Sequence, residues 1–227
     1  MSRRPGAVFF DLDGTLLDTA PDMVGALDQL RAEHGIPALD YEFARDHVSH
    51  GALGLLKIGF PDFDDERRDS LRERYLQLYA DRLSTETTAF PGMEQVLDTL
   101  DEQRVPWGVV TNKPGWLTEP LLTALGLATR CACIVSGDTL EKRKPHPAPL
   151  LHAAALTKTD PATAVYVGDA KRDIEAGNAA GMTTVAALYG YVAAADAPAA
   201  WGADHTVEQP QELIGLFELA RPNETTR

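Results

Sequence analysis

Two hydrophobic periods divide this chain. Short solid runs of apolar, β-branched and aromatic residues recur at 7–10, 105–110, 131–135, 164–167 and 183–187. Their length and content predict strands buried on both faces. Between them apolar positions return every three or four residues. This predicts helices from Pro91-Gly92 to 103 and over 116–125, 147–156 and 171–180, two of them stopped by Gly126 and Gly181. An edge strand is expected over 203–207, a final helix over 210–219 and a frayed tail over 221–227.

Residues 19–84 keep the helical period throughout. Thr19 is placed to cap a helix, Pro21 lies in its first turn, and Asp22 suits the positive end of its dipole. Met23, Leu27, Leu30 and His34 form its stripe, and Gly35 ends it. One or two short helices fall within 41–58, broken at Ser49-His50-Gly51. A charged helix over 64–83 turns Leu71, Tyr75, Leu78 and Tyr79 to one side.

Strands alternating with helices of about ten residues indicate an α/β fold, a Rossmann-like parallel sheet with helices on both faces. The helical block interrupts it just after the first strand. The expected organisation is therefore a core of 1–18 and 85–227, with a small all-helical domain, 19–84, inserted.

Composition narrows the function classes. The 227 residues are 44% apolar, enough for a core. A net charge of −13 argues against a nucleic-acid backbone or an anionic membrane as partner. Any phosphorylated ligand must then meet local positive charge or a metal. Cys131 and Cys133 read as small buried side chains, since two cysteines in an apolar stretch build no zinc site or disulfide framework. No signal-peptide pattern precedes Asp11, and no run approaches the ~18 apolar residues of a membrane span. A reducing, cytoplasmic setting is expected.

Reactive polar residues gather where strands end. The first strand runs into Asp11-Leu12-Asp13-Gly14-Thr15, the second into Thr111-Asn112-Lys113-Pro114, and a later one into Gly168-Asp169, with Asp173 beyond. Lys142-Arg143-Lys144-Pro145 follows the 131–135 strand. Open parallel sheets bind ligands beyond the carboxyl ends of their strands, so these four points share one edge if the sheet forms. Carboxylates crowded there repel one another unless a cation intervenes, and hard oxygen ligands suit Mg²⁺. A lysine and a hydroxyl at the same edge suit a phosphoryl group. Taken singly, each motif has a plainer reading: Gly168-Asp169 as a helix cap, Thr111-Asn112 as a turn, Lys144 as a surface lysine. Asp18 and Asp22 read as helix-start residues. A calcium loop is excluded, because its sixth position is Leu16 rather than Gly and its twelfth is Asp22 rather than Glu.

Taken in order, these motifs resemble the haloacid dehalogenase-like superfamily of phosphohydrolases: Asp11-x-Asp13-x-Thr15, Thr111 at a strand end, Lys144 before a proline, and Gly168-Asp169-x-x-x-Asp173. The resemblance spans nearly the whole chain and makes 19–84 a helical cap. It implies a phosphatase forming an aspartyl-phosphate on Asp11, with Asp13 as acid and base. It further implies Mg²⁺ held by Asp11, the Asp13 carbonyl and Asp169, with Asp173 behind them. Thr111, Asn112 and Lys144 would hold the phosphoryl oxygens, helped by N–H groups of the Leu12–Gly14 turn. In the cap, His50 and Lys57 are the specificity candidates, with His47 structural; His146 is a loop residue near the site.

Several alternatives compete. The superfamily's dehalogenases lack the second carboxylate that Asp13 supplies. Its sugar phosphomutases usually carry a histidine on the first cap helix, where this chain has Met23, so hydrolysis ranks above mutase chemistry. A non-catalytic phosphate-binding module would be expected to lose motif residues, and none is missing. The opening motif resembles phosphoglycolate phosphatases. Trp107 to Pro114, Tyr189-Gly190-Tyr191 and Trp201-Gly202-Ala203-Asp204 resemble the bacterial branch acting on N-acetylmuramic acid 6-phosphate in cell-wall recycling. The expected partner is a small phosphorylated metabolite.

Overall fold

A computed structural model gives the architecture of residues 4–193 and 196–217. The expected tail at 221–227 and the end of the expected helix over 210–219 lie outside these described residues. Along the chain come β1 (Ala7–Phe10), β2 (Leu17–Asp18), α1 (Ala20–Glu33), α2 (Tyr41–Arg45), α3 (Gly51–Gly59), α4 (Asp65–Ala80), β3 (Thr88–Ala89) and α5 (Met93–Glu102). There follow β4 (Trp107–Val110), α6 (Gly115–Ala124), β5 (Cys133–Val135), α7 (Ala148–Leu156), β6 (Ala164–Gly168), α8 (Lys171–Ala180), β7 (Thr183–Ala187), β8 (His205–Val207) and α9 (Glu212–Leu216).

β1 lies in the middle of a parallel sheet ordered β5-β4-β1-β6-β7-β8. Its solid apolar run follows from that position. Val8 and Phe10 pack with Leu97 of α5 and Leu121 of α6, while Ala7 and Phe9 pack with Leu150 of α7 and Ala176 of α8. Neither face offers water, so no residue of the strand can be polar without a partner. Phe10 is level with Val109 of β4 and with Val167 of β6. The three strands therefore end together, and the residues just beyond them emerge side by side.

The inserted block is helical as expected. α1 packs on α3 and α4, with Met23, Leu27 and Leu30 in the same buried cluster as Tyr75, Leu78 and Tyr79. The predicted break falls at a 3₁₀ turn, Val48–His50, before Gly51 at φ +66°. One local expectation gives way to a long-range contact. Thr19 makes no capping bond; its hydroxyl goes to Asp13 instead. Asp22 is fully buried and accepts from the backbone N–H groups of Glu86 and Thr87 and from the Thr87 hydroxyl, tying α1 to the returning chain. β2 and β3 pair antiparallel as a ribbon at the junction of block and core; two residues per strand leave no period to read. Cys131 stands just outside β5 and Cys133 within it. Burial pushes their thiols up, to about 12 and about 11, which keeps both inert at neutral pH. No described helix is long and apolar enough to cross a membrane.

Candidate active site

The level strand ends bring Asp11, Thr111 and Asp169 to one edge. Asp11 is buried, and its Oδ1 accepts from the Leu12 N–H at 2.7 Å and lies 2.8 Å from Lys144 Nζ. Arg172 Nη2 stands 3.8 Å from its other oxygen. Burial alone would push this carboxyl up; Lys144, Arg172 and the Leu12 N–H outweigh it and hold it below the usual carboxylate range.

Lys144 is the hub. Its Nζ meets Asp11 Oδ1, Asp173 Oδ1 and the Tyr166 hydroxyl, each at 2.8 Å, so all three ammonium protons have acceptors. Tyr166 donates on to the Val110 carbonyl. Asn112 fixes the loop that carries the lysine: its amide donates to the Lys144 carbonyl and accepts from the Lys144 N–H. The side chain expected to hold phosphate lines the cavity and also positions the lysine. Asp173, wholly buried at the start of α8, has its carboxyl raised by burial and by Asp11 despite Lys144.

Asp169 differs from the other two. Among the described residues it receives only neutral donors: the Thr15 hydroxyl at 3.3 Å, the Tyr191 N–H at 3.0 Å and, from the helical block, the Ser49 hydroxyl at 2.6 Å. Burial and the charges of Asp11 and Asp173 push its carboxyl up to about 7. Oxygens of Asp11, Asp169 and Asp173 lie within 4.8 Å of one another. An all-oxygen set with one under-compensated carboxylate fits a hard divalent cation. Gly14, at φ +85°, lets the chain pass here, since a Cβ would overlap the Asp169 carboxylate.

Asp13 is half-buried. Its Oδ1 accepts from the Thr19 hydroxyl and from Lys113 Nζ, both at 2.8 Å. Lys113 donates in turn to the Tyr79 hydroxyl of α4 at 2.6 Å. Thr111 is buried at the end of β4, and its hydroxyl accepts from the Lys113 N–H. In the Leu12–Gly14 turn, two N–H groups are already engaged, Leu12 with Asp11 and Gly14 with the Leu17 carbonyl. A cavity of about 370 Å³ opens above these groups, with Met23, Ser49 and Tyr79 of the helical block in its wall. His50 also lines it. Lys57 is exposed on α3 near Asp65 and does not line this cavity. His146 stays on an exposed loop, accepting from the Ala148 N–H.

The structure adds Lys113, Ser49, Tyr79 and Arg172 to the residues that the motifs assign to the site. Lys113 and Arg172 lie inside the strand-end motifs, and for Arg172 its place between Asp169 and Asp173 is itself a signal. Ser49 and Tyr79 carry no such signal.

The carboxyl edge of the parallel sheet thus holds a lysine-bridged pair of aspartates beneath an inserted helical block. Residues 8–187 match the model of the haloacid dehalogenase-like hydrolases, and the chain belongs to that family. It is 45% identical over 211 residues to the phosphoglycolate phosphatase of Xanthomonas campestris pv. campestris (strain 8004), covering 93% of this chain and 96% of that protein. It is 40% identical over 215 residues to the N-acetylmuramic acid 6-phosphate phosphatase of Pseudomonas aeruginosa, covering 94% and 95%. A crystal structure from Haemophilus somnus 129pt, described as a predicted phosphoglycolate phosphatase, shares the fold at a TM-score of 0.82 and 24% identity, over 95% of this chain and 98% of that one. The chain is a phosphatase, of a family that uses a divalent metal.

Proposed function

We propose that this phosphatase hydrolyses a small phosphorylated carboxylic acid, phosphoglycolate in the first instance, with Mg²⁺ and an aspartyl-phosphate on Asp11. The observation that carries the reading is Asp11 itself: a buried carboxylate kept ionised by Lys144 and Arg172 at the floor of a cleft. An ionised carboxylate can attack phosphorus as the ester oxygen departs. Asp13 gives that oxygen a proton, then takes one from the water that opens the acyl phosphate. Lys113 and Thr19 hold its Oδ1, which leaves Oδ2 for the transfer. Thr111 and Lys144 supply donor and charge to the phosphoryl oxygens. Bound by Asp11, the Asp13 carbonyl and Asp169, Mg²⁺ would neutralise phosphoryl charge. Residues 19–84 act as the cap, and two free thiols fit a reducing cytoplasm.

A specific observation supports a second substrate, N-acetylmuramic acid 6-phosphate. The cavity of about 370 Å³ exceeds what a two-carbon acid fills and lies within the roughly 300–1,000 Å³ typical of larger ligands. Both substrates pair a phosphomonoester with a carboxylate. Mutase chemistry is disfavoured, because Met23 lines the cavity from the first cap helix, where a histidine would be needed.

The test is phosphate release from an aryl phosphate, from phosphoglycolate and from N-acetylmuramic acid 6-phosphate. EDTA should stop all three and Mg²⁺ restore them; a rate indifferent to EDTA removes the metal from the reading. Metal binding should also depend on pH. The proton held by Asp169 up to about 7 competes with the cation. Affinity should therefore rise as pH increases through neutrality, with protons released on binding. A Mg²⁺ Kd that stays flat between about pH 6 and about pH 8 contradicts a ligand role for Asp169.

A further inference from the structure

Trp116 sits in the first turn of α6, just beyond Thr111 and Asn112. Its side chain is 52% exposed, whereas Trp107 and Trp201 are buried. It lines a groove of about 460 Å³ with Asp69, Arg72, Glu73, Leu76 and Gln77 of α4. Arg72 and Leu76 also line the catalytic cavity, so groove and cavity meet at these two side chains. The other arginines of α4 are occupied: Arg67 over the Phe63 ring, Arg68 with Asp65, Arg74 with Glu33. Arg72 has no hydrogen-bond or ion-pair partner among the described residues.

This set has a chemistry of its own. An exposed indole offers a flat apolar face. Asp69, Glu73 and Gln77 offer planar acceptors and donors suited to hydroxyl and amide groups. A guanidinium without a partner suits a carboxylate, which it binds in a fork. Groove and cavity meet at Arg72 and Leu76, so a ligand long enough to cross the cavity from Thr111 would meet the groove there.

Resting on the phosphatase reading above, we propose that this groove is a subsite for the distal part of a carboxylated phosphosugar, with Trp116 stacked on the sugar ring and Arg72 paired with its carboxylate. Asp69 and Glu73 face the ring hydroxyls and keep the carboxylate on Arg72.

The test compares N-acetylmuramic acid 6-phosphate with N-acetylglucosamine 6-phosphate, which lacks the lactyl carboxylate, and with phosphoglycolate. Trp116→Ala should lower the kcat/KM ratio of either sugar phosphate to phosphoglycolate by about ten-fold or more, mainly through KM. Trp116→Phe should keep most of it. Arg72→Ala should remove the preference for the lactyl sugar over N-acetylglucosamine 6-phosphate by a similar factor, with Arg72→Lys intermediate. A binding measurement stands apart from turnover. In an Asp11→Asn background, N-acetylmuramic acid 6-phosphate should change the fluorescence of Trp116, and the change should vanish in Trp116→Phe. Ratios unmoved by both alanine variants, or a fluorescence change that survives Trp116→Phe, overturn the subsite. No metal-dependent turnover of any ester overturns the phosphatase reading instead, and the fluorescence titration still decides the groove.

Discussion

Asp11→Asn should lower kcat by at least ~10⁴-fold, because the variant removes the nucleophile of a reaction that proceeds through it. The amide keeps the shape of the carboxylate, and its oxygen can still accept from Leu12 and Lys144. The loss should therefore appear with the fold intact and with Lys144 still bound to Asp173. The informative measurement is single-turnover phosphate release with saturating Mg²⁺, alongside a thermal melt. A variant that melts within a few degrees of the parent yet hydrolyses normally would show that Asp11 is not the attacking group.

Lys144→Met should damage both stability and activity. The side chain is wholly buried between two buried carboxylates. Removing one member of such a set leaves charge without a partner, which costs roughly 3–5 kcal/mol, or a Tm drop on the order of 10 °C for a chain of this length. The pH dependence identifies the cause. Without the lysine, burial and mutual repulsion push both carboxyls above their unfolded values. The folded variant then binds more protons than the unfolded chain, so its stability is greatest in acid and falls as pH rises through that window. Urea unfolding should show a small penalty near about pH 5 and a larger one near about pH 8. A penalty equal at both values would mean that Lys144 acts through packing alone.

Much of the candidate site was legible because its chemistry is local. Asp11 and Asp13 share a turn, Thr111 closes a strand, and Asp169 and Asp173 are four residues apart on a strand-to-helix junction. Each sits next to a solid apolar run that announces the strand beside it. Lys113 was visible as a residue but not as a partner, since its bond to Asp13 crosses 100 positions of sequence. Ser49 reaches Asp169 across 120. Asn112 shows the same limit: it lines the cavity beside Thr111, and its bonds to the backbone of Lys144 cross 32 positions of sequence. Lys57 has the right charge for the cap but stands on a face that does not line the cavity.

By itself the sequence determined the parallel sheet, the helical insertion and the acidic edge, because hydrophobic period and strand-end chemistry are properties of neighbouring residues. Only the tertiary structure decided which cation meets which carboxylate and which cap residues wall the cleft. Those pairings depend on strand register and on how α4 lies against the core, and both arise from contacts between residues far apart in the chain.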